Sequence, residues 1–141
     1  MTPTRRRGAA AKPMLALLAL LIMAAAGVFL KFWMQPQTKP DVDVGRRVAE
    51  EFLAKLHDGQ VGPAWDETTA EFKSIEGRES FIRSAAKAPV LKQELHFVSM
   101  QEVQVQKQPR AEYVFQAPDG KMVRVLIGYE AGGWKVDRLT M

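Results

Sequence analysis

Four polar side chains, Ser99, Gln101, Tyr113 and Arg138, have the types and spacing of a binding site. Read with the period of two that a β-strand imposes, they fall on rows that otherwise carry apolar residues. A polar group turned toward a core must be partnered or hydrated, so the four define a candidate ligand pocket at the mouth of the fold. A hydroxyl pair, an amide and a guanidinium suit an apolar anion whose head sits on Arg138. Chemistry beyond binding lacks an agent. General acid–base catalysis needs an Asp, Glu or His within hydrogen-bond reach, and none alternates onto the row beside Tyr113. His57 and His96 are the two histidines. One falls at a helix C-terminus and the other on the opposite sheet face, so they do not converge as metal ligands. No catalytic or metal residue and no cofactor is assigned. The absence of cysteine removes disulfides, thiolate metal sites and a lipidated cysteine.

A second constellation is apolar. On the same alternation Val98, Met100, Val114 and Leu126 gather on the outer sheet face, ringed by Glu102, Glu112, Gln116 and Arg124. A small apolar patch with a polar rim is a candidate protein interface.

The elements that must position these residues follow from periodicity. Val44 to Leu56 is a predicted helix with Asp43 as N-cap and a stripe of Val48, Ala49, Phe52, Leu53 and Leu56, stopped by Gly59. Pro63 opens a second helix through Ala70, with Ala64, Trp65 and Thr68 inward. Arg78 to Lys87 forms a third, with Phe81, Ile82 and Ala85 inward, stopped at Pro89. Four strands follow. The first alternates from Leu95 to Gln106, with Leu95, Phe97, Ser99, Gln101, Val103 and Val105 on one face. Arg110–Ala117 and Lys121–Tyr129 are joined through Pro118, Asp119 and Gly120. A two-residue turn would set Phe115 against Arg124; a three-residue turn with Gly120 left-handed sets Phe115 against Val123 and Tyr113 against Val125, and is expected. The closing hairpin then aligns Tyr129 with Trp134 and Ile127 with Val136. Helices covering one face of an antiparallel meander make an α+β layer.

Preceding this domain is Met14–Leu30, a run without charged or hydrogen-bonding side chains. About 17 residues at roughly 1.5 Å rise span about 26 Å, close to the roughly 30 Å hydrocarbon core, and Phe32, Trp33 and Met34 extend it. The expected organisation is a basic tail (1–12), a transmembrane helix (13–34), a linker (35–43) and an α+β domain (44–141). Arg5, Arg6, Arg7 and Lys12 precede the span without an acidic residue, which places the N-terminus in the cytoplasm and the domain in the periplasm or outside the cell. A cleaved secretory signal ending at Ala24–Ala26 is the alternative, although it would leave Val28, Phe29, Leu30, Phe32 and Trp33 as an exposed apolar N-terminus. All 16 acidic residues lie from Asp41 onward, so the net charge of +4 belongs to the N-terminal part, and no nucleic-acid partner is expected.

The order of elements, the G-x-x-x-x-A-W of Gly59 to Trp65, Phe72-Lys73, and the closing Gly133, Trp134, Lys135 and Val136 resemble the cone-shaped nuclear transport factor 2-like (cystatin-like) superfamily. The likeness covers Val44 to Met141 and is greatest to small exported or membrane-anchored bacterial members. Enzymes of that family project an Asp or His into the cone, which this inner row lacks. The resulting expectation is a membrane-anchored interaction module that binds a protein partner or a second copy. Small-ligand binding at the cone mouth is the alternative, and a lyase or isomerase the third.

Overall fold

The computed structural model describes residues 39–141. The expected tail, the span at 13–34 and the first part of the linker lie outside those residues. Among the described residues, no helix is long and apolar enough to cross a membrane.

Helix α1 (Val42–His57) begins two residues before the predicted start, because Asp41 rather than Asp43 caps it. The Asp41 carboxylate accepts the Asp43 N–H at 3.3 Å. At the other end Gly59 (φ +78°) donates to Leu56 O at 3.2 Å and Gln60 to Lys55 O at 2.8 Å, the paired bonds of a left-handed glycine stop. The predicted second helix, Pro63 through Ala70, stops at Asp66 as α2 (Val61–Asp66), and an unpredicted helix, α3 (Ala70–Ile75), follows it. Two threonines make the break. The Thr68 hydroxyl donates to Trp65 O (2.7 Å), and the Thr69 hydroxyl accepts the Phe72 N–H (3.2 Å) and so caps α3. Helix α4 (Arg78–Ala86) stops before Pro89, and a 3-10 turn at Pro89–Lys92 buries Val90 and Leu91. The layer thus holds four helices where three were expected.

Strands β1 (His96–Val105), β2 (Gln108–Gln116), β3 (Met122–Glu130) and β4 (Gly133–Thr140) form an antiparallel sheet in sequence order. The turn at Pro118–Gly120 has the expected register, Phe115 opposite Val123 and Tyr113 opposite Val125, with Gly120 at φ +86°. Tyr129 likewise faces Trp134, and Ile127 faces Val136.

Two β-bulges break the alternation elsewhere. In β1 Phe97 lies opposite Phe115 but Ser99 lies opposite Val114, so Val98 is the extra residue. Beyond it Met100 and Glu102 share the inner face with Tyr113 and Ala111, while Ser99, Gln101, Val103 and Val105 turn outward. In β4 Val136 faces Ile127 and Arg138 faces Leu126, leaving Asp137 extra, and Leu139 rather than Arg138 is brought opposite Val125. The physical reason is common to both. Strict alternation would press Ser99, Gln101 and Arg138 against the helices; one inserted residue sends them outward and brings Met100 and Leu139 in.

The covered face meets a phenylalanine cluster in the helical layer. Phe72 and Phe81 cross edge to face at 5.2 Å, and Phe52 lies 6.3 Å from each. These pack over Tyr113, Phe115, Val123, Val125, Ile127 and Val136. The closest approach is at Gly45 of α1, where a Cβ would fall inside the Tyr113 hydroxyl and ring and 2.6 Å from Pro40 Cγ. Tyr113 is fully buried, and its hydroxyl donates to Asp41 O at 3.4 Å. Burial, reinforced by the Asp41 and Asp43 carboxylates, pushes its phenol above the usual tyrosine range. Arg46 meanwhile lies over the Phe97 ring, 4.5 Å from its centroid.

Gly45→Ala should therefore lower stability by about 2–3 kcal/mol in urea unfolding, as overpacking against an immobile ring does. Tyr113→Phe should change it by only about 1 kcal/mol, because it removes one long hydrogen bond and keeps the ring.

Candidate functional site

The two bulges scatter the predicted ligand pocket. Tyr113 is inside, sealed beneath α1. Ser99 and Gln101 stand on the outer face of β1, in register with Val114 and Glu112. Arg138 is on the outer face of β4, its Nη2 3.9 Å from Glu71 Oε1. Strands β2 and β3 separate Arg138 from Ser99, about 14 Å at the usual strand spacing. The four do not converge.

The predicted interface is also rearranged. Met100 faces the core, not the partner side. Val98 bulges out and is 50% exposed. Val114 and Leu126 do lie on the outer face but are buried, with Ser99 and Arg124 beside one and Glu112 and Arg138 beside the other. The apolar residues that the outer face offers on β1 are Val98, Val103 and Val105, the last two half-buried. A signal for this was present in the sequence. The apolar pairs Phe97/Met100 and Val136/Leu139 are spaced by three, which no unbulged strand can place on one face.

A polar cluster that pattern reading missed sits at the second bulge. Asp137 is buried, and its Oδ1 accepts the Thr69 hydroxyl at 2.7 Å while Thr69 N donates to Val136 O at 3.0 Å. Arg110 reaches across from β2, its Nη1 4.0 Å from Asp137 Oδ2. It crosses over Gly128, where a Cβ would lie 3.0 Å from Asp137 Oδ1 and 3.1 Å from Arg110 Nη1. Arg110 Nε and Asp137 Oδ2 are buried without a hydrogen-bond partner. Nearby, Glu130 Oε1 accepts the Ala70 N–H at 2.9 Å, and Lys135 stands 3.3 Å from its second oxygen. The first of these bonds, with Lys135 second among the favourable contacts, holds the Glu130 carboxyl below its ordinary range. The cluster clamps the start of α3 to the β4 edge.

Open clefts follow the seams of α1. One of about 370 Å³ lies between α1 and β4 and is walled by Val48, Phe52 and Trp134 with Glu51 and Lys135 at its rim. Another of about 270 Å³ lies between α1 and the lead into β1, among Leu53, Phe115, Leu95, Glu50, Glu94 and His57. His57 Nδ1 is 3.2 Å from Asp58, and no group of three or more metal-ligating side chains occurs among the described residues. Both clefts have apolar floors and charged rims. Trp65, expected to point inward, and Trp134 are half-buried at the core margin; Trp65 Nε1 donates to Glu76 O at 2.8 Å.

No protein-family model matches the chain, and no curated protein matches it.

The clamp makes a quantitative prediction. Arg110→Met should destabilise by about 2–3 kcal/mol by leaving Asp137 buried without its charged neighbour. Arg110→Met combined with Asp137→Asn should lose at least about 1 kcal/mol less than the sum of the single changes, measured by a double-mutant cycle in urea.

Proposed function

We propose that this chain is a membrane-anchored interaction module whose α+β domain lies outside the cytoplasm and pairs with a protein strand, a second copy being the nearest candidate. In this reading residues 13–34 span the membrane with the N-terminus inside, and the domain is a small member of the nuclear transport factor 2-like cone folds. The observation that carries it is the free edge of β1. This strand is ten residues long and pairs only with β2 among the described residues. Its outer row ends in the half-buried Val103 and Val105. An edge of that length offers a row of backbone donors and acceptors, the ordinary basis of strand addition.

Tyr113, expected to line a ligand pocket, is buried against Gly45. Small-ligand binding would have to use the seams of α1 instead.

The test is the mass of the full chain in detergent by light scattering. Two chains per particle are expected, falling to one in Val103→Lys/Val105→Lys with thermal stability kept, since lysine on a strand edge blocks further pairing. A monomeric wild-type chain removes the second copy as the partner, and a double variant that still dimerises removes β1 as the pairing site.

A further inference from the structure

We infer that the groove between the C-terminal end of α1, α2 and α4 binds a small apolar carboxylate, with its alkyl chain along α4 and its head on Arg78. The groove encloses about 480 Å³, more than either cleft described above. Leu56, Ala85 and Leu91, all buried, make its floor, and the half-buried Val61 and Ile82 its walls. Two glycines keep it open. Gly59 takes the positive φ that stops α1, and Gly62 lies under the Arg78 guanidinium, so neither sends a side chain across the floor. The groove follows α4 from Arg78, its first residue, to Ala86, its last, about 12 Å at the helical rise. A medium-length alkyl chain laid along that floor leaves water over most of its length.

The rim decides the head group. The charged or titratable side chains at this groove are His57, Arg78 and Lys92, and no described residue that walls it is Asp or Glu. The α1–β4 cleft, by contrast, carries Glu51 and Glu67, and the cleft beside the lead into β1 carries Glu50 and Glu94, so both disfavour an anion.

Among the three basic groups Arg78 is the one held in place for a carboxylate. Its Nε stands 3.3 Å from Asp66 Oδ1, and its Nη2 crosses α2 at Gly62, where a Cβ would collide with it and lie 3.0 Å from Cζ. Glu79 is 4.0 Å from Nη1, beyond hydrogen-bond range. Both terminal nitrogens of the fork thus keep donors for the two oxygens of a carboxylate. His57 is already set against Asp58 at 3.2 Å, and Lys92, beyond the end of α4, closes the far end of the groove. No residue of β1 borders the groove, so the inference stands apart from the strand pairing proposed above.

The test follows the Ile82 δ1 methyl by NMR in the full chain, isoleucine-methyl-labelled and held in a nonionic detergent, as sodium octanoate is added. Ile82 should shift saturably, while Ile127, buried in the core, stays in place. Acetate, which has the head without the chain, and octylamine, which has the chain with the opposite charge, should each leave Ile82 unmoved at the same concentration. Arg78→Gln should weaken octanoate binding about tenfold, the scale of one charged hydrogen bond. Gly62→Ala keeps the charge but unseats the guanidinium, and should weaken it several-fold; an unmoved Ile127 methyl shows that each variant is folded. Acetate or octylamine acting as octanoate does, or octanoate binding unchanged in either variant, overturns the head site at Arg78. An Ile82 methyl that octanoate does not shift overturns the groove itself.

Discussion

A sheet covered by helices on one side must keep its apolar side chains on that side, and two of the four strands here do so only by inserting a residue. Without the bulge at Val98, Met100 would turn away from Tyr113 and Ser99 would take its place. Without the one at Asp137, Arg138 would displace Leu139 opposite Val125. Each insertion avoids burying a polar side chain, an expense of roughly 1–3 kcal/mol by mutational measures. The bulges also sit where the sheet meets other parts. Val98 pushes outward on the free edge strand, and Asp137 supplies the carboxylate that holds α3.

From that parity the rest of the packing follows. With Tyr113 inward and fully buried, α1 can approach only through a residue without a side chain, and Gly45 occupies that point. The same approach puts Pro40 and the Asp41 cap over the ring, which fixes where the chain enters the domain. At the opposite edge the Thr69 hydroxyl links two requirements at once, accepting from Phe72 N–H and donating to Asp137. The break between α2 and α3 is thereby tied to the bulge in β4, two features remote in sequence that share one hydroxyl.

Much of this was legible from pattern. The α+β layer, the helix stop at Gly59, the order of strands and the three-residue turn at Pro118–Gly120 follow from local rules that act within a few residues. The candidate site was not legible, for one reason. Assigning Ser99, Gln101 and Arg138 to the inner row extended the period of two through both bulges, and a single slip reverses every later side chain. The three-residue spacing of Phe97 to Met100 and of Val136 to Leu139 carried the information. Arg110 and Asp137 could not be paired from sequence, since their meeting depends on the bulge and on the missing side chain of Gly128.

The β1 edge, proposed as the site for a partner strand, depends on which residues the bulge at Val98 turns outward, so the bulged register is the claim on which the account stands. Its most direct measurement is the nuclear Overhauser effect from the Met100 methyl group in a methionine-methyl-labelled chain. The bulged register predicts strong contacts from that methyl to the Tyr113 ring, with Leu139 likewise in contact with Val125. Contacts from Met100 to Glu112 instead, with Ser99 against the Tyr113 ring, would restore the unbulged strand and contradict it.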